Sequence, residues 1–338
     1  MIKYLGSKRV LIPRILEEIG RLEGVRTVLD LFSGTSRVAH ALKGCGYHVH
    51  ANDHNAYAAT LATAYVQADR RRWIEPARRL IAELDALPGV PGWFTETCCV
   101  RARFLQPANG ARVDAIRERI AALALEPELE AIALTSLMEA ADRVDSTVGV
   151  QMAYLKRWAP RAYQPLRLRV PEMLDGGGSA SCLEAHEAAS RFPVDLAYLD
   201  PPYNQHSYLG NYHVWESLVR WDKPEVYGVA MKRVDVRERS SPFNRRGRIV
   251  EALRAVLDAV RARHIVVSFS DEGHLAVETL RAMLAGRGAL RVAEVPHRRY
   301  IGSRIGIYNP RGEKVGVPGP RTNREHLFIV TTGLVPAA

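Results

Sequence analysis

The fold is decided by the stretch Val194-Asp195-Leu196-Ala197-Tyr198-Leu199-Asp200-Pro201-Pro202-Tyr203. Residues 194–199 are mostly apolar and predict a buried strand. A carboxylate follows at the carboxyl end of that strand, and two prolines then stop it because they fix φ and lack a backbone donor. The neighbouring carbonyls therefore stay free to accept hydrogen bonds from another molecule. The pattern predicts a rigid corner, residues 200–203, beside a ligand crevice.

The side chains of this corner suit an amino group as the ligand. The Asp200 carboxylate and a backbone carbonyl can accept its hydrogens, and the Tyr203 ring can stack above it. A chance turn is the alternative, because Pro-Pro ends a strand wherever it occurs. The neighbouring stretches of the chain decide between the two.

A second unit of the same kind lies near the N-terminus. Residues 27–32 predict a strand, Ser33-Gly34-Thr35-Ser36 a small-residue turn, and residues 37–42 a helix. Strand, turn and helix form the crevice of an open α/β sheet, where the helix N-terminus offers free backbone N–H groups. A strand at 47–51 then leads to Asp53, about 20 residues past the turn, where such sheets bind ribose hydroxyls. The single glycine does not satisfy the dinucleotide pattern G-x-G-x-x-G, and a purely structural α/β unit would look the same.

Together with a short N-terminal motif, these stretches resemble the adenine-specific DNA methyltransferases of the Dam-like D12 class. The family's N-terminal cofactor motif is matched by Lys3-Tyr4-Leu5-Gly6-Ser7-Lys8, and its glycine loop by Asp30-Leu31-Phe32-Ser33-Gly34-Thr35. The second glycine of that loop is replaced by Ser36, a departure that bears on how closely the loop approaches the methionine part of the cofactor. The resemblance is weakest between residues 69 and 137. It continues past the corner at Asn204, Asn211-Tyr212-His213 and residues 266–273.

The resemblance implies an α/β fold: a Rossmann-like class I methyltransferase sheet with an inserted, mainly helical target-recognition subdomain. The catalytic S-adenosylmethionine-binding domain would comprise residues 1–68 and 166–338, and the target-recognition insert residues 69–165. Helical apolar spacing with little strand signal supports the insert. It occurs at residues 73–87, 111–125 and 129–142.

Further elements are predicted outside the insert. Alternating or apolar runs predict strands at 166–170 and 265–269, and strand-like ends for the tail from 290 to 332. Helical spacing occurs at 11–22, 249–263 and 275–284.

The resemblance implies methyl transfer from S-adenosylmethionine to the exocyclic N6 amino group of an adenine in double-stranded DNA. The adenine must first be flipped out, because its amino group lies inside the duplex. Asp200 and the Pro201 carbonyl would accept the two amino hydrogens and direct the nitrogen lone pair at the methyl group. Pro202 completes the corner, and Tyr203 would stack on the base. No metal is implied, because the cofactor already carries an activated methyl group.

The resemblance also assigns a set of cofactor-binding residues. Lys8 would neutralise the cofactor carboxylate, Asp53 would bind its ribose, and Glu184 would face its adenine amino group. A solvated helix charge is an equal alternative for Glu184. The complete set is Tyr4, Gly6, Lys8, Asp30, Phe32, Ser33, Gly34, Thr35, Asp53 and Glu184.

The charge balance favours a polyanionic partner. The chain has 47 Lys and Arg residues against 37 Asp and Glu residues, a net charge of +10 without histidine. Such a surplus is common in nucleic-acid-binding proteins, although many basic proteins bind none. Seven cations lie in residues 232–248, which we call the basic strip, and we expect DNA-backbone contacts there. A solvated basic face is the alternative for a looser cluster at 156–169. The residues expected to bind DNA are Lys156, Arg157, Arg245 and Arg246.

The sequence gives no sign of a membrane or metal role. No apolar run is long enough to span a membrane, and the N-terminus lacks a charged region followed by an apolar stretch, so we expect a cytoplasmic protein. The cysteines have no metal-binding spacing and are expected to be reduced structural thiols. They are Cys45, Cys98, Cys99 and Cys182.

Double-stranded DNA is therefore the expected partner, joined by a cognate restriction endonuclease if the chain serves restriction–modification. Two alternatives stay open. One is a catalytically inactive DNA-binding or specificity protein on the same fold, against which the intact Asp200, Tyr203 and Asp53 argue. The other is an enzyme acting on an RNA base or a protein amide, whose corner usually begins with Asn instead of Asp.

Overall fold

A mixed seven-stranded sheet forms the centre of the chain in the computed structural model, which describes residues 1–271, 273–298, 307–308, 314–316 and 322–333. In chain order the strands are β1 (Thr27–Asp30), β2 (His48–Asn52), β3 (Ser179–Ser181), β4 (Val194–Leu199), β5 (Val226–Tyr227), β6 (Lys232–Arg233), β7 (Ala262–Ser270), β8 (Gly288–Arg298), β9 (Ile307–Tyr308), β10 (Lys314–Gly316) and β11 (Thr322–Thr332). The large sheet has the order β3-β2-β1-β4-β7-β11-β8. β5 pairs with β6, and β9 with β10, in two small antiparallel ribbons.

The carboxyl ends of the parallel strands meet at one edge of this sheet. β1 lies between β2 and β4, with Asp30 opposite Ala51 on one side and Tyr198 on the other. β7 runs parallel to β4, whereas β11 runs antiparallel between β7 and β8. Because β11 runs in the opposite direction, its beginning lies beside the end of β7, with Glu325 opposite Ser270. The edge therefore collects the ends of β1, β2, β3, β4 and β7 and the start of β11.

The α-helices start at residues suited to that position. The Asp69 carboxylate accepts the Arg71 N–H and so caps α4, while Pro107 and Pro127 begin α5 and α6. In chain order the α-helices are α1 (Ile12–Gly20), α2 (Arg37–Gly44), α3 (Ala56–Ala62), α4 (Arg70–Ala86), α5 (Pro107–Ala122), α6 (Pro127–Arg143), α7 (Ala185–Arg191), α8 (Tyr208–Asn211), α9 (His213–Arg220), α10 (Ile249–Ala259) and α11 (Val277–Ala285). Shorter helical turns are Lys8–Val10, Thr63–Gln67, Thr95–Arg101, Pro160–Tyr163, Val234–Arg237 and Pro242–Asn244.

The helices cover both faces of the sheet, which explains the continuous apolar sequences of its central strands. Along β4, Leu196 belongs to one buried hydrophobic cluster and its neighbour Ala197 to the other. Val266 and Val267 divide in the same way along β7. The first cluster includes residues of α1 to α6 and α9, and the second residues of α7, α10 and α11. The chain is thus an α/β protein with three layers.

The helices predicted for the insert are present as α4, α5 and α6. Trp73, Ile116 and Leu137 on these helices lie in the same buried cluster as Ile15 of α1 and Val28 of β1. The helices of residues 69–143 therefore share a core with one face of the sheet. The division into a catalytic part and a recognition insert remains a prediction.

The strand predicted at 166–170 is absent, and this prediction was wrong. Leu166 and Leu168 are buried, as the alternating sequence suggests, but the segment has no strand partner. Its backbone is bound by side chains of the helices instead. The Leu166 N–H donates to Asn109 Oδ1 and the Leu168 N–H to Asp85 Oδ1, both at 2.9 Å. The alternation of apolar residues correctly predicts which side chains are buried. It does not fix the partners of the backbone N–H groups, which here donate to side chains of the helices.

Candidate active site

A cleft of about 970 Å³ opens at the edge where the parallel strands end. All ten residues predicted to bind the cofactor line it, and so do Asp200 and Pro202 of the corner. Pro201 and Tyr203 are outside this lining, as are the four cations expected to bind DNA. The lining also contains residues that sequence reasoning did not place there, among them His54, Asn55, Arg239, Phe243 and Asn244.

The glycine loop joins β1 to α2 in a tight left-handed turn. Gly34 has φ +50° and Ser36 φ +57°. The Ser36 N–H donates to the Ser33 carbonyl at 2.6 Å, which closes the turn. A Cβ on Gly34 would lie 3.0 Å from a ring carbon of Tyr4. Glycine is required there by both the backbone conformation and the contact with the N-terminal motif.

Three tyrosine rings form a wall beside this loop. Tyr4 stacks between Tyr208 and Tyr212, with ring centroids 5.1 Å and 4.6 Å away. Its hydroxyl lies 3.1 Å from that of Tyr57. Gly6 has φ +72°, and a Cβ there would come within 3.0 Å of the Tyr208 hydroxyl. The N-terminal motif is therefore fixed by α8 and by the residue that separates it from α9.

Asp53 follows β2 and faces the glycine loop across the cleft. Its carboxylate accepts the Gly34 N–H at 3.0 Å and the Asn55 N–H at 2.9 Å. Burial raises the pKa of Asp53, and these N–H groups work against that rise. Glu184, by contrast, has a side chain that is 75% exposed and lies 3.5 Å from His54 Nδ1, whose hydrogen bond lowers its pKa. Their assignment to ribose and adenine stays a prediction.

Several buried polar atoms at the cleft lack a partner among the residues that the structure describes. They include Oδ1 of Asp30, Oγ of Ser33 and Oδ1 of Asn55. Burial, followed by the nearby charge of Asp200, raises the pKa of Asp30 to about 8, so this carboxyl group carries a proton at neutral pH. The cleft thus offers a proton donor and acceptors to a polar ligand.

Lys8 connects the N-terminal motif to the corner. Its Nζ lies 3.0 Å from Asp200 Oδ1 and 2.6 Å from Glu325 Oε1, and its side chain is 7% exposed. Burial lowers the pKa of Lys8, but the two carboxylates outweigh it and the pKa is raised well above its usual value. Burial also raises the pKa of Asp200 to about 6, while Lys8 opposes the rise. The predicted role of Lys8 beside a cofactor carboxylate is untested, and here its ammonium contacts two acids of the chain.

Tyr203, the last residue of the corner, packs its ring against the protein core. The Tyr203 ring lies 5.2 Å from that of Phe269, and its carbonyl accepts the His274 N–H at 2.6 Å. Burial raises the pKa of Tyr203 to about 12. No hydrogen bond reaches the Pro201 carbonyl from the parts of the chain that the structure describes. Pro201 is buried and outside the cleft lining, so contact between its carbonyl and a ligand stays a prediction.

The basic strip is only partly a free cationic surface. Arg245 and Arg246 are exposed, as are Lys156 and Arg157 in the other cluster. Arg233, however, is 2% exposed and paired with Asp222 and Asp235. The charges of these acids, which a count of Lys and Arg ignores, neutralise it. Arg233 is therefore no part of a free cationic surface, and DNA-backbone contact by the exposed arginines of the strip stays a prediction.

Arg239 is a second cation of the strip that turns inward. It binds Glu216 Oε1 at 3.0 Å and lines the cleft. Phe243 meets Phe32 of the glycine loop edge-on at 5.2 Å. Asn244 Nδ2 donates to the carbonyls of Asn204 and His206, at 2.7 and 3.1 Å. The sequence feature that could have predicted these contacts is Pro242-Phe243-Asn244, which interrupts the basic residues.

The fold and the cleft define the class of the protein: an α/β protein with a cleft at the carboxyl ends of parallel strands, where such proteins bind their ligands. The model of the D12 class N6 adenine-specific DNA methyltransferases matches residues 4–283, and the chain belongs to this family. Within the described residues no helix is long and apolar enough to cross a membrane.

Curated relatives agree with the family. The chain is 27% identical over 321 residues to the modification methylase StsI of Streptococcus sanguinis, covering 88% of this chain and 49% of that protein. It is 28% identical over 323 residues to the type II methyltransferase M.FokI of Planomicrobium okeanokoites, covering 88% and 50%. It therefore spans about half the length of these two relatives. The type II methyltransferase M.NlaIII of Neisseria lactamica is 27% identical over 315 residues, with 88% and 92% covered.

Among solved structures, the SAM dependent methyltransferase from Agrobacterium tumefaciens aligns at 10% identity over 97% of this chain and 63% of that chain. The TM-score of 0.33 is too low to bear on the fold.

Ser36 gives a first prediction. A side chain in the left-handed region is strained, and the Ser36 hydroxyl is buried without a partner in the described part of the chain. Ser36→Gly should therefore raise the free energy of unfolding by about 1 kcal/mol, which urea denaturation would measure. Ser36→Ala removes the hydroxyl but keeps the Cβ, and should recover only part of the gain. A less stable glycine variant would contradict this account.

Proposed function

We propose that the chain is a site-specific DNA adenine methyltransferase that transfers a methyl group from S-adenosylmethionine to the N6 amino group of a flipped-out adenine. Membership in the D12 family supports the reaction. The observation that carries it is the corner: Asp200 opens onto the same cleft as the glycine loop and Asp53. The names of the relatives support a role as the modification enzyme of a restriction–modification system.

The proposal includes a division of labour along the chain. A Rossmann-like class I methyltransferase sheet, from residues 1–68 and 166–338, would carry the chemistry. Residues 69–165 would read the DNA sequence, and a cognate endonuclease would cut unmodified sites. The position of the cleft at the carboxyl edge of the parallel strands supports the first part.

The cleft fits S-adenosylmethionine in polarity. The unpartnered oxygens of Asp30, Ser33 and Asn55 suit a ligand with amino and hydroxyl groups. The glycine loop would hold the methionine part, Asp53 the ribose and Glu184 the adenine. When bound, S-adenosylmethionine supplies a methyl group on a sulfonium, so the chemistry needs no metal.

The corner would prepare the target nitrogen for attack. The lone pair of the adenine amino group is delocalised into the ring, so the nitrogen is a poor nucleophile. Asp200 and the free Pro201 carbonyl would accept the two amino hydrogens and hold the lone pair toward the cleft. Tyr203, backed by Phe269, would stack on the flipped base. Asp200 is a charged acceptor at both oxygens only when ionised, above its pKa of about 6.

Asp200→Ala should abolish this preparation and leave the cofactor in place. We expect the rate of methyl transfer to fall about a hundredfold or more, as when one preorganised electrostatic group is removed from an active site. Transfer of labelled methyl groups to duplex DNA measures the rate, and calorimetry should give a near-normal Kd for S-adenosylmethionine. Asp175→Ala, at an exposed aspartate, is the control. Near-normal turnover of Asp200→Ala would remove Asp200 from the mechanism.

Asp53→Ala should weaken cofactor binding. The loss should be about 1–3 kcal/mol, because buried partners such as the Gly34 N–H are left unpaired. Calorimetry with S-adenosylmethionine measures it, and Asp53→Asn, which keeps one acceptor oxygen, should lose less. An unchanged Kd in Asp53→Ala would move the ribose contact elsewhere.

Replacing Arg245 and Arg246 together by Ala should weaken binding to all duplexes about equally. The slope of log affinity against log salt should fall by about 1–2 units, one for each phosphate that the variant no longer neutralises. Sequence preference should persist, because backbone contacts position a protein and base contacts specify its site. Fluorescence anisotropy at several salt concentrations measures the slope.

The matched control removes two exposed arginines at the opposite end of the sheet. Arg26 and Arg261 precede β1 and β7 and lie away from the cleft. Arg26→Ala with Arg261→Ala removes the same charge and should leave the slope nearly unchanged. If the Arg245 and Arg246 variant kept its slope but methylated a different adenine, those residues would read sequence.

A further inference from the structure

Glu325 is the acid that the proposed mechanism does not yet use. It is buried, and its Oε1 lies 2.6 Å from Lys8 Nζ, closer than the 3.0 Å between that ammonium and Asp200. A second donor, the Ser268 hydroxyl, reaches the same oxygen at 2.7 Å. Lys8 therefore stands between the corner and a carboxylate 317 positions away in the chain.

The backbone holds Glu325 more firmly than Lys8. Glu325 lies in β11 with strand partners on both sides, opposite Ser270 of β7 and Val295 of β8. Lys8 reaches the corner on a flexible four-carbon stem from the single helical turn Lys8–Val10. An ammonium on such a stem takes the position that its fixed partners allow. Glu325 and Ser268 supply the fixed side of this arrangement.

We propose that Glu325 is a positioning residue for methyl transfer: it holds the Lys8 ammonium at one oxygen of Asp200 and so keeps the other oxygen for the target amino group. This inference rests on the proposed function. Without Glu325, Lys8 would be free to move across the Asp200 carboxylate and compete with the base. The Asp200 side chain is 20% exposed and lines the cleft.

The positioning role of Glu325 can be tested through the pKa of Asp200, because this pKa depends on the surrounding charges. The titratable groups that face it are Lys8, Asp30 at the end of β1, Glu325 on β11, and the hydroxyls of Tyr198, Tyr203 and Tyr208. Asp30 is protonated at neutral pH and the tyrosines are neutral. Of these groups, Lys8 favours the ionised form of Asp200 and Glu325 opposes it. Removing the Glu325 charge should lower the pKa of Asp200.

Glu325→Gln tests the proposal through the pH profile of single-turnover methylation. In the wild type, the rate should fall as pH drops through about 6, where Asp200 gains a proton. In Glu325→Gln this acid limb should move to lower pH by about one unit, because a negative charge is gone and Lys8 has one carboxylate left. The plateau rate should fall about tenfold, as when a residue that orients a functional group is removed. The Kd for S-adenosylmethionine should stay within about twofold of the wild type.

Two variants separate charge from structure. Glu294→Gln removes the same charge from β8 at a side chain that is 50% exposed, and should change neither the limb nor the plateau. Glu325→Asp keeps the charge but shortens the reach to Lys8. It should lower the plateau and leave the acid limb in place. If Glu325→Gln does not fold, a wild-type plateau in Glu325→Asp would overturn the proposal.

A carboxyl titration gives an answer that does not need activity. The Asp200 carbon signal in aspartate-labelled full-length protein can be identified by its loss in Asp200→Asn. In Glu325→Gln this signal should titrate at lower pH than in the wild type. An unchanged titration in the folded variant would overturn the role of Glu325. Absence of methylation by the wild type would instead refute the proposed function, and the titration would still decide the Lys8 arrangement.

Discussion

The active site depends on how four carboxyl groups share one edge of the sheet. Asp30, Asp53 and Asp200 end or follow parallel strands, and Glu325 lies near the start of the antiparallel β11 beside them. Buried carboxylates are costly unless they are paired, hydrogen-bonded or protonated. All three solutions occur here. Asp30 keeps its proton, Asp53 accepts backbone N–H groups, and Asp200 and Glu325 share the Lys8 ammonium.

These solutions leave one carboxyl group in the state that the proposed mechanism needs. Asp200 is the member whose pKa, about 6, lies just below neutral pH, so it is ionised there yet still responsive to its surroundings. Asp30 must stay protonated for this to hold, because a second charge at the end of the neighbouring strand would raise the pKa of Asp200 further. The site therefore works as a unit, and the strand register that brings the acids together also fixes their protonation.

The sequence was sufficient for one wall of the cleft and not for the other. Residues that follow parallel strands in α/β sheets converge on one edge, so Asp53, the glycine loop and Asp200 could be predicted to meet. Glu325 enters from an antiparallel strand whose direction no local pattern reveals. The one sequence feature that points to Glu325 is its position as a single acid before the apolar run 327–330. The burial of Arg233 could not be predicted because a count of charged residues does not show which acids pair with them.

The basic strip connects the proposed DNA-contacting arginines to the cleft. Asn244 holds the carbonyls of Asn204 and His206, which follow the corner, and Phe243 packs on the glycine loop. Arg245 and Arg246 come directly after them and face solvent. A phosphate bound by these arginines would therefore pull on a segment that contacts both walls of the cleft. In the proposed mechanism, the turn expected to meet the DNA backbone would also support the loop beside Tyr203, because Asn244 holds that loop.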